Sequence, residues 1–230
     1  MNDAGDSSGA PGQPPSAAGH RVREAALGGQ GPVGPDTGPS GQPGSTGRAP
    51  DNLTIEIMHE AGEWDAFGDV DAALAAVAAV VGDCDRLGLR AAEAAIVLAD
   101  DATVQTLNRS WRSIDKPTNV LSFPSGQPAS IVESTGTRML GDVVLACQTL
   151  VREAEAQAKA PVHHLQHLAL HGLLHLAGFD HESEAEAEDM EQLEVELLAR
   201  LGVANPYEDE IKEDKVSLRK AAAVPVGKKE

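Results

Sequence analysis

Apolar positions along this chain recur with two periods, and the switches between them mark the elements. In "NLTIEIMHE", Leu53, Ile55 and Ile57 alternate with polar neighbours, which is strand periodicity. "DVDAALAAVAAVVGDCDRLG" is too long and too evenly apolar for a strand and predicts a helix. Asp69 or Asp71 is available to cap it and Gly82 to end it. "AAIVLAD" is a short apolar run that closes on Asp100 and Asp101, both suited to cap the helix predicted over "ATVQTLNRSWR". "NVLSFP" predicts a third strand stopped by Pro124, and Ser125 to Gly136 reads as a loop. "RMLGDVVLA" predicts a fourth strand. "CQTLVREAEAQAKA" predicts a helix ending before Pro161. "VHHLQHLALHGLLHLAG" predicts a helix with an apolar face, stopped at Gly178, and "EAEAEDMEQLEVELLARLG" an acidic amphipathic helix ended by Gly202. Strands and helices are interspersed, as in a small α/β or α+β domain.

Composition changes this picture only at the ends. Residues 1–50 hold 12 of the 23 glycines and 8 of the 14 prolines, without apolar periodicity. Such a stretch cannot bury enough surface to offset chain entropy, so it is expected to be a disordered extension. Residues 213–230 are expected to form a flexible, locally basic tail. The remaining 51–212 suffice for one compact domain. The N-terminus has no apolar signal region, and the most apolar run, residues 72–81, is about half a membrane span. Cys84 and Cys147 are isolated and outline no disulfide framework. A cytoplasmic protein with no membrane association is expected. The net charge of −18 argues against a broadly nucleic-acid-binding exterior, although it leaves room for a locally positive cleft.

Six of the eight histidines lie between His163 and His181. In "HGLLHLAGFDH", His171 and His175 are four apart on a predicted helix and project from one face, one turn apart. Gly178 lets the backbone leave the helix, and two further residues bring His181 back toward the pair. Three imidazoles leave one position of a tetrahedral Zn²⁺ open to water, and zinc so held lowers that water's pKa to about 7. The spacing matches that of the metzincin proteases except at one position. Their general base, a Glu directly after the first histidine, is here Gly172. Asp180 is a candidate to orient an imidazole or to shape the turn. His167 lies on the same helix face, either behind the three imidazoles or at the surface. A protease-like zinc hydrolase and a purely structural metal remain alternatives.

A second dense stretch, "WRSIDKPTNVLSFP", follows Arg109. Arg109, Arg112 and Lys116 place three cations within eight residues of an acidic chain. A guanidinium matches phosphate oxygens with a planar fork of donors, and phosphodiester chemistry needs charge stabilised on the phosphoryl group. Solvated surface charge beside a turn would read the same way. Lys116 and Arg109 are accordingly candidate phosphate contacts.

Taken together, "HGLLHLAGFDH" and "LNRSWRSIDKPTNVLSFP" resemble the YbeY family of bacterial endoribonucleases. "LGDVVLA" and "NPY" fit in the same order, and the resemblance runs from about Asn52 to Glu210. It implies a compact α+β fold, with a small mixed sheet flanked by helices and a zincin-like metal helix. It also implies one zinc on His171, His175 and His181, and an activity that depends on Arg112. The function implied is cleavage of single-stranded RNA in 3′-end maturation of 16S ribosomal RNA and in ribosome quality control, which would make Lys116 and Arg109 candidate RNA contacts. The partners would be ribosomal RNA and proteins of the small subunit, with no DNA expected. A non-enzymatic assembly factor with structural zinc is the remaining alternative. Phe179 departs from the family's usual tyrosine, and the N-terminal extension falls outside the resemblance.

Overall fold

The computed structural model describes residues 53–181 and 183–208. The expected N-terminal extension and the tail from residue 213 lie outside them. Four strands form one mixed sheet in the order β1-β2-β4-β3: β1 (Thr54–His59), β2 (Ala92–Ala99), β3 (Val120–Pro124) and β4 (Arg138–Ala146). The first two and β4 run parallel, and β3 closes the edge antiparallel to β4.

Both faces of the sheet are covered, and this explains why β2 and β4 read as continuous apolar runs rather than alternating ones. On one face Ile96, Leu98, Val143 and Leu145 pack under α1 (Val70–Gly82), α5 (Pro161–Ala177) and α6 (Glu184–Arg200). On the other, Val97, Ala99, Leu121, Phe123, Val144 and Ala146 meet Val104 and Leu107 of α2 (Asp101–Arg112). Among the described residues there are also two shorter α-helices, α3 (Ala129–Thr135) and α4 (Cys147–Ala156), and one 3₁₀ turn at Asp65–Phe67. No helix of the described residues is long and apolar enough to cross a membrane.

Local chemistry sets the helix starts. Asp69, not Asp71, caps α1, its carboxylate accepting from Ala72 N at 3.0 Å. Asp100 caps α2 by accepting from Thr103 N at 2.8 Å. Ser183 and Glu186 form a reciprocal capping box on α6.

Three expectations need correction. Ser125–Gly136 is not all loop: α3 occupies residues 129–135 and ends at Gly136, which has φ 72°. Its sequence, "ASIVEST", has no apolar period and leaves Ile131 46 % exposed, so periodicity could not register it. Gly82 is the last residue of α1 rather than its stop, which falls on Asp83. The helix expected through Ala160, α4, stops at Ala156, and Ala158 turns the chain with φ 51°.

Gly141 holds the β3–β4 edge together. It sits at an irregularity in the β2–β4 register and has φ 134°. A Cβ there would stand 2.1 Å from the Phe123 carbonyl oxygen, which is backbone and cannot yield. Gly141→Ala is therefore expected to lower the unfolding free energy by about 2–4 kcal/mol, read from urea denaturation.

Candidate metal centre

Helix α5 and the turn after it assemble the histidines. His171 and His175 stand one turn apart with ring centroids 4.6 Å from each other. Gly178, with φ 104°, ends the helix, and Phe179 N donates back to Leu174 O at 3.0 Å. This reversal brings the His181 ring to 5.0 Å from that of His175 and 6.0 Å from that of His171. One nitrogen of each imidazole then lies within 4.8 Å of the other two, a grouping able to hold a metal ion.

Hydrogen bonds fix which nitrogens point inward. His171 Nδ1 donates to Glu194 Oε1 at 2.6 Å, and His175 Nδ1 donates to the Phe179 carbonyl at 3.0 Å. Carboxylates and carbonyls only accept, so both rings carry their proton on Nδ1 and a lone pair on Nε2. The two Nε2 atoms face each other at 3.1 Å. Two lone pairs so placed repel unless a cation stands between them. The His175 pKa is lowered by burial first and by neighbouring His171 second, which keeps the ring neutral and able to ligate.

Glu194 is fully buried on α6. Burial alone would raise its pKa. Hydrogen bonds from His167 Nε2 (3.2 Å), His171 and the Tyr207 hydroxyl overcome this and hold it at about 2. His167 thus touches the centre through the carboxylate that orients His171. Asp180 shapes the turn, its carboxylate accepting from His181 N at 2.8 Å.

The triad opens into a cleft of about 520 Å³ that Arg112, Thr118, Asn119, Ser122 and Phe179 also line. Arg112 is the last residue of α2, and Ser113 turns the chain there with φ 58°. Among the described residues Arg112 makes no ion pair, so its guanidinium is available to a ligand in the cleft. Arg109 is engaged with Asp115 at 3.7 Å and does not line the cleft. Lys116 is also outside its lining, on a loop pinned where Asn108 Nδ2 donates to the Lys116 carbonyl at 2.8 Å.

Gly172 is excluded as a site for a catalytic base on packing grounds as well as chemical ones. A Cβ there would meet Val143 Cγ1 at 2.6 Å and Ser122 Oγ at 3.2 Å. No side chain can occupy the place of the metalloprotease glutamate while α5 lies this close to the sheet.

Sequence reasoning missed Glu194, Tyr207, Asn119 and Ser122 as parts of this site. Glu194 had a signal: it fills one slot of the buried stripe Met190, Leu193, Leu197, Leu198, where an apolar residue belongs. Asn119, Ser122 and Tyr207 lie inside the motifs "DKPTNVLSFP" and "NPY", but nothing local to those stretches shows what they contact, because their proximity to the triad is tertiary.

The fold and site together define a small α+β protein that presents three convergent imidazoles and a guanidinium, with no ion pair among the described residues, in one cleft. The chain matches the model of the endoribonuclease YbeY family over residues 69–202, and it belongs to that family. It is 49 % identical over 163 residues to the endoribonuclease YbeY of Rhodopseudomonas palustris strain BisA53, covering 69 % of this chain and 92 % of that one. The counterpart from strain BisB18 is 51 % identical over 159 residues, covering 67 % and 92 %. The solution structure of TM1509 from Thermotoga maritima is 24 % identical, with a TM-score of 0.39 over 67 % of this chain and 95 % of that one.

Two outcomes follow from the geometry. Glu194→Gln removes the charge and turns one of the two acceptor oxygens, which together serve His171, His167 and Tyr207, into an amide donor, so the His171 tautomer is no longer held by a carboxylate. It is expected to weaken metal binding by about 10–100-fold, measured by competition with a chromogenic chelator on the folded protein. Gly172→Ala is expected to cost about 1–3 kcal/mol of stability through overpacking, measured by urea unfolding.

Proposed function

We propose that this protein is a zinc-dependent endoribonuclease cutting single-stranded RNA, with His171, His175 and His181 as ligands of one zinc ion and Arg112 as the phosphate-binding catalytic residue. The observation that carries this reading is the shared cleft: the Arg112 guanidinium and three convergent imidazoles line one concavity. The donor set fits the metal. Two imidazole ligands on a tetrahedral zinc, each at about 2.0–2.1 Å, stand about 3.3 Å apart, close to the 3.1 Å between the inward nitrogens. The relatives' name, endoribonuclease, supplies RNA as the substrate.

When bound, zinc lowers the pKa of a coordinated water and polarises a phosphoryl oxygen. The chain's own groups do the rest. Glu194 and the Phe179 carbonyl hold His171 and His175 with lone pairs inward. Arg112 binds the scissile phosphate through a fork of charge-assisted hydrogen bonds and steadies the charge that develops on it. Lys116 and Arg109, on the rim, contribute longer-range attraction to the RNA backbone. In this reading the biological role is 3′-end maturation of 16S ribosomal RNA and ribosome quality control in the cytoplasm, with small-subunit proteins as partners. The resemblance of both sequence motifs to the family supports it.

Cleavage of a labelled single-stranded RNA by the zinc-loaded protein, beside Arg112→Ala, tests the assignment. The variant is expected to lose at least about tenfold in kcat/KM while keeping about one zinc per chain by elemental analysis. Equal cleavage by both would remove Arg112 from the mechanism. Cleavage by neither would remove the nuclease reading.

A further inference from the structure

A second concavity, of about 230 Å³, lies one step along the metal helix from the cleft. Lys159, His163, His164, His167, Asn205 and Pro206 contribute to its lining, with small apolar residues making up the rest. On a chain of net charge −18, its described lining holds one lysine, three imidazoles and no carboxylate. The Lys159 ammonium donates to the Pro206 carbonyl at 3.4 Å and keeps two further donors.

This cavity is tied to the metal centre by two bridges. His167, in its wall, packs 6.4 Å from the His171 ring and shares Glu194 with it. On the other side Glu153 accepts from His164 Nε2 at 2.9 Å and from Asn119 Nδ2 at 3.0 Å, and Asn119 lines the catalytic cleft. His164 is 4 % exposed, and burial first, against the opposing pull of Glu153, lowers its pKa. Cavity and cleft therefore keep a fixed spacing along one helix face.

Its volume falls below the roughly 300–1,000 Å³ of drug-sized ligand sites, so it suits one ring system. A lining of small apolar side chains and imidazole rings accepts a base by stacking, and the lysine in the same lining accepts the attached phosphate. We infer that this cavity is a second nucleotide subsite, receiving the base and phosphate of the residue next to the one held at the histidine triad. The inference rests on the RNA reading above.

The test is anisotropy of a 5′-labelled single-stranded RNA on the full-length, zinc-loaded protein, joined to ultraviolet crosslinking of the same RNA carrying 4-thiouridine. Lys159→Ala is expected to weaken binding at least about fivefold. Ala204→Trp, at an exposed position of the lining, should do the same without changing charge. Arg86→Ala removes the same unit of charge outside both concavities and should bind as wild type. Crosslinks are expected on the peptides carrying His163 or Asn205. If Lys159→Ala and Ala204→Trp bind as wild type while Arg112→Ala weakens binding, the subsite is refuted and the RNA reading stands. Crosslinks confined to the peptide carrying Arg112 refute it equally. If the wild type neither binds nor cuts single-stranded RNA, the RNA reading falls and the subsite with it.

Discussion

Helix α5 lies against the sheet at a distance that only glycine permits at position 172. The Cβ that any other residue would bring reaches into Val143 of β4 and Ser122 of β3, and the Ser122 hydroxyl donates to the Gly172 carbonyl at 3.3 Å across the same contact. That approach sets the height of His171 and His175 over the β3 edge. Because β3 follows directly from the loop after Arg112, the same contact places the guanidinium and the imidazoles on one cleft. A wider helix–sheet spacing would keep every residue of both motifs and still separate them.

The close packing leaves no space for a base beside His171, and the chain orients this imidazole from behind instead. A buried carboxylate is costly unless its oxygens are well satisfied. Glu194 is satisfied three times over, by His167, His171 and Tyr207. Each donor comes from a segment the fold must hold in place anyway: the metal helix, its preceding turn, and the stretch after α6. Ligand orientation and the docking of that last segment therefore depend on one another. Removing the carboxylate would disturb the centre without touching a ligand.

Overall charge and local charge separate cleanly here. The exterior is acidic, yet the two concavities along α5 collect arginine, lysine and imidazole nitrogen, with Asp180 the only carboxylate among their described lining residues. Low net affinity for polyanions away from the groove and attraction within it follow from the same distribution. Glu153, joining His164 to Asn119, is the counterpart of Glu194 two turns earlier along the helix. Each carboxylate ties an imidazole of α5 to another element.

By itself the sequence determined the elements whose signals are local. Alternation located β1, short apolar runs bounded by turn or capping residues located β2, β3 and β4, and longer apolar or amphipathic stretches located the longer helices. The caps at Asp69 and Asp100 and the break at Gly178 were legible because capping and positive φ are properties of a few adjacent residues. The triad was legible for the same reason: all three histidines lie within eleven residues, on one helix and the turn that ends it. Helix α3 escaped because it buries too little to impose a period. Which cation of Arg109, Arg112 and Lys116 faces the metal side was decided by the αL turn at Ser113 and by Asp115, which engages Arg109. The pairing of Glu194 with His171, 23 residues away, and of Glu153 with Asn119, 34 residues away, was decided only when the helices packed. Hydrogen bonds across such separations leave no trace in local periodicity. They exist because burial in the tertiary structure makes an unpartnered carboxylate too costly to keep.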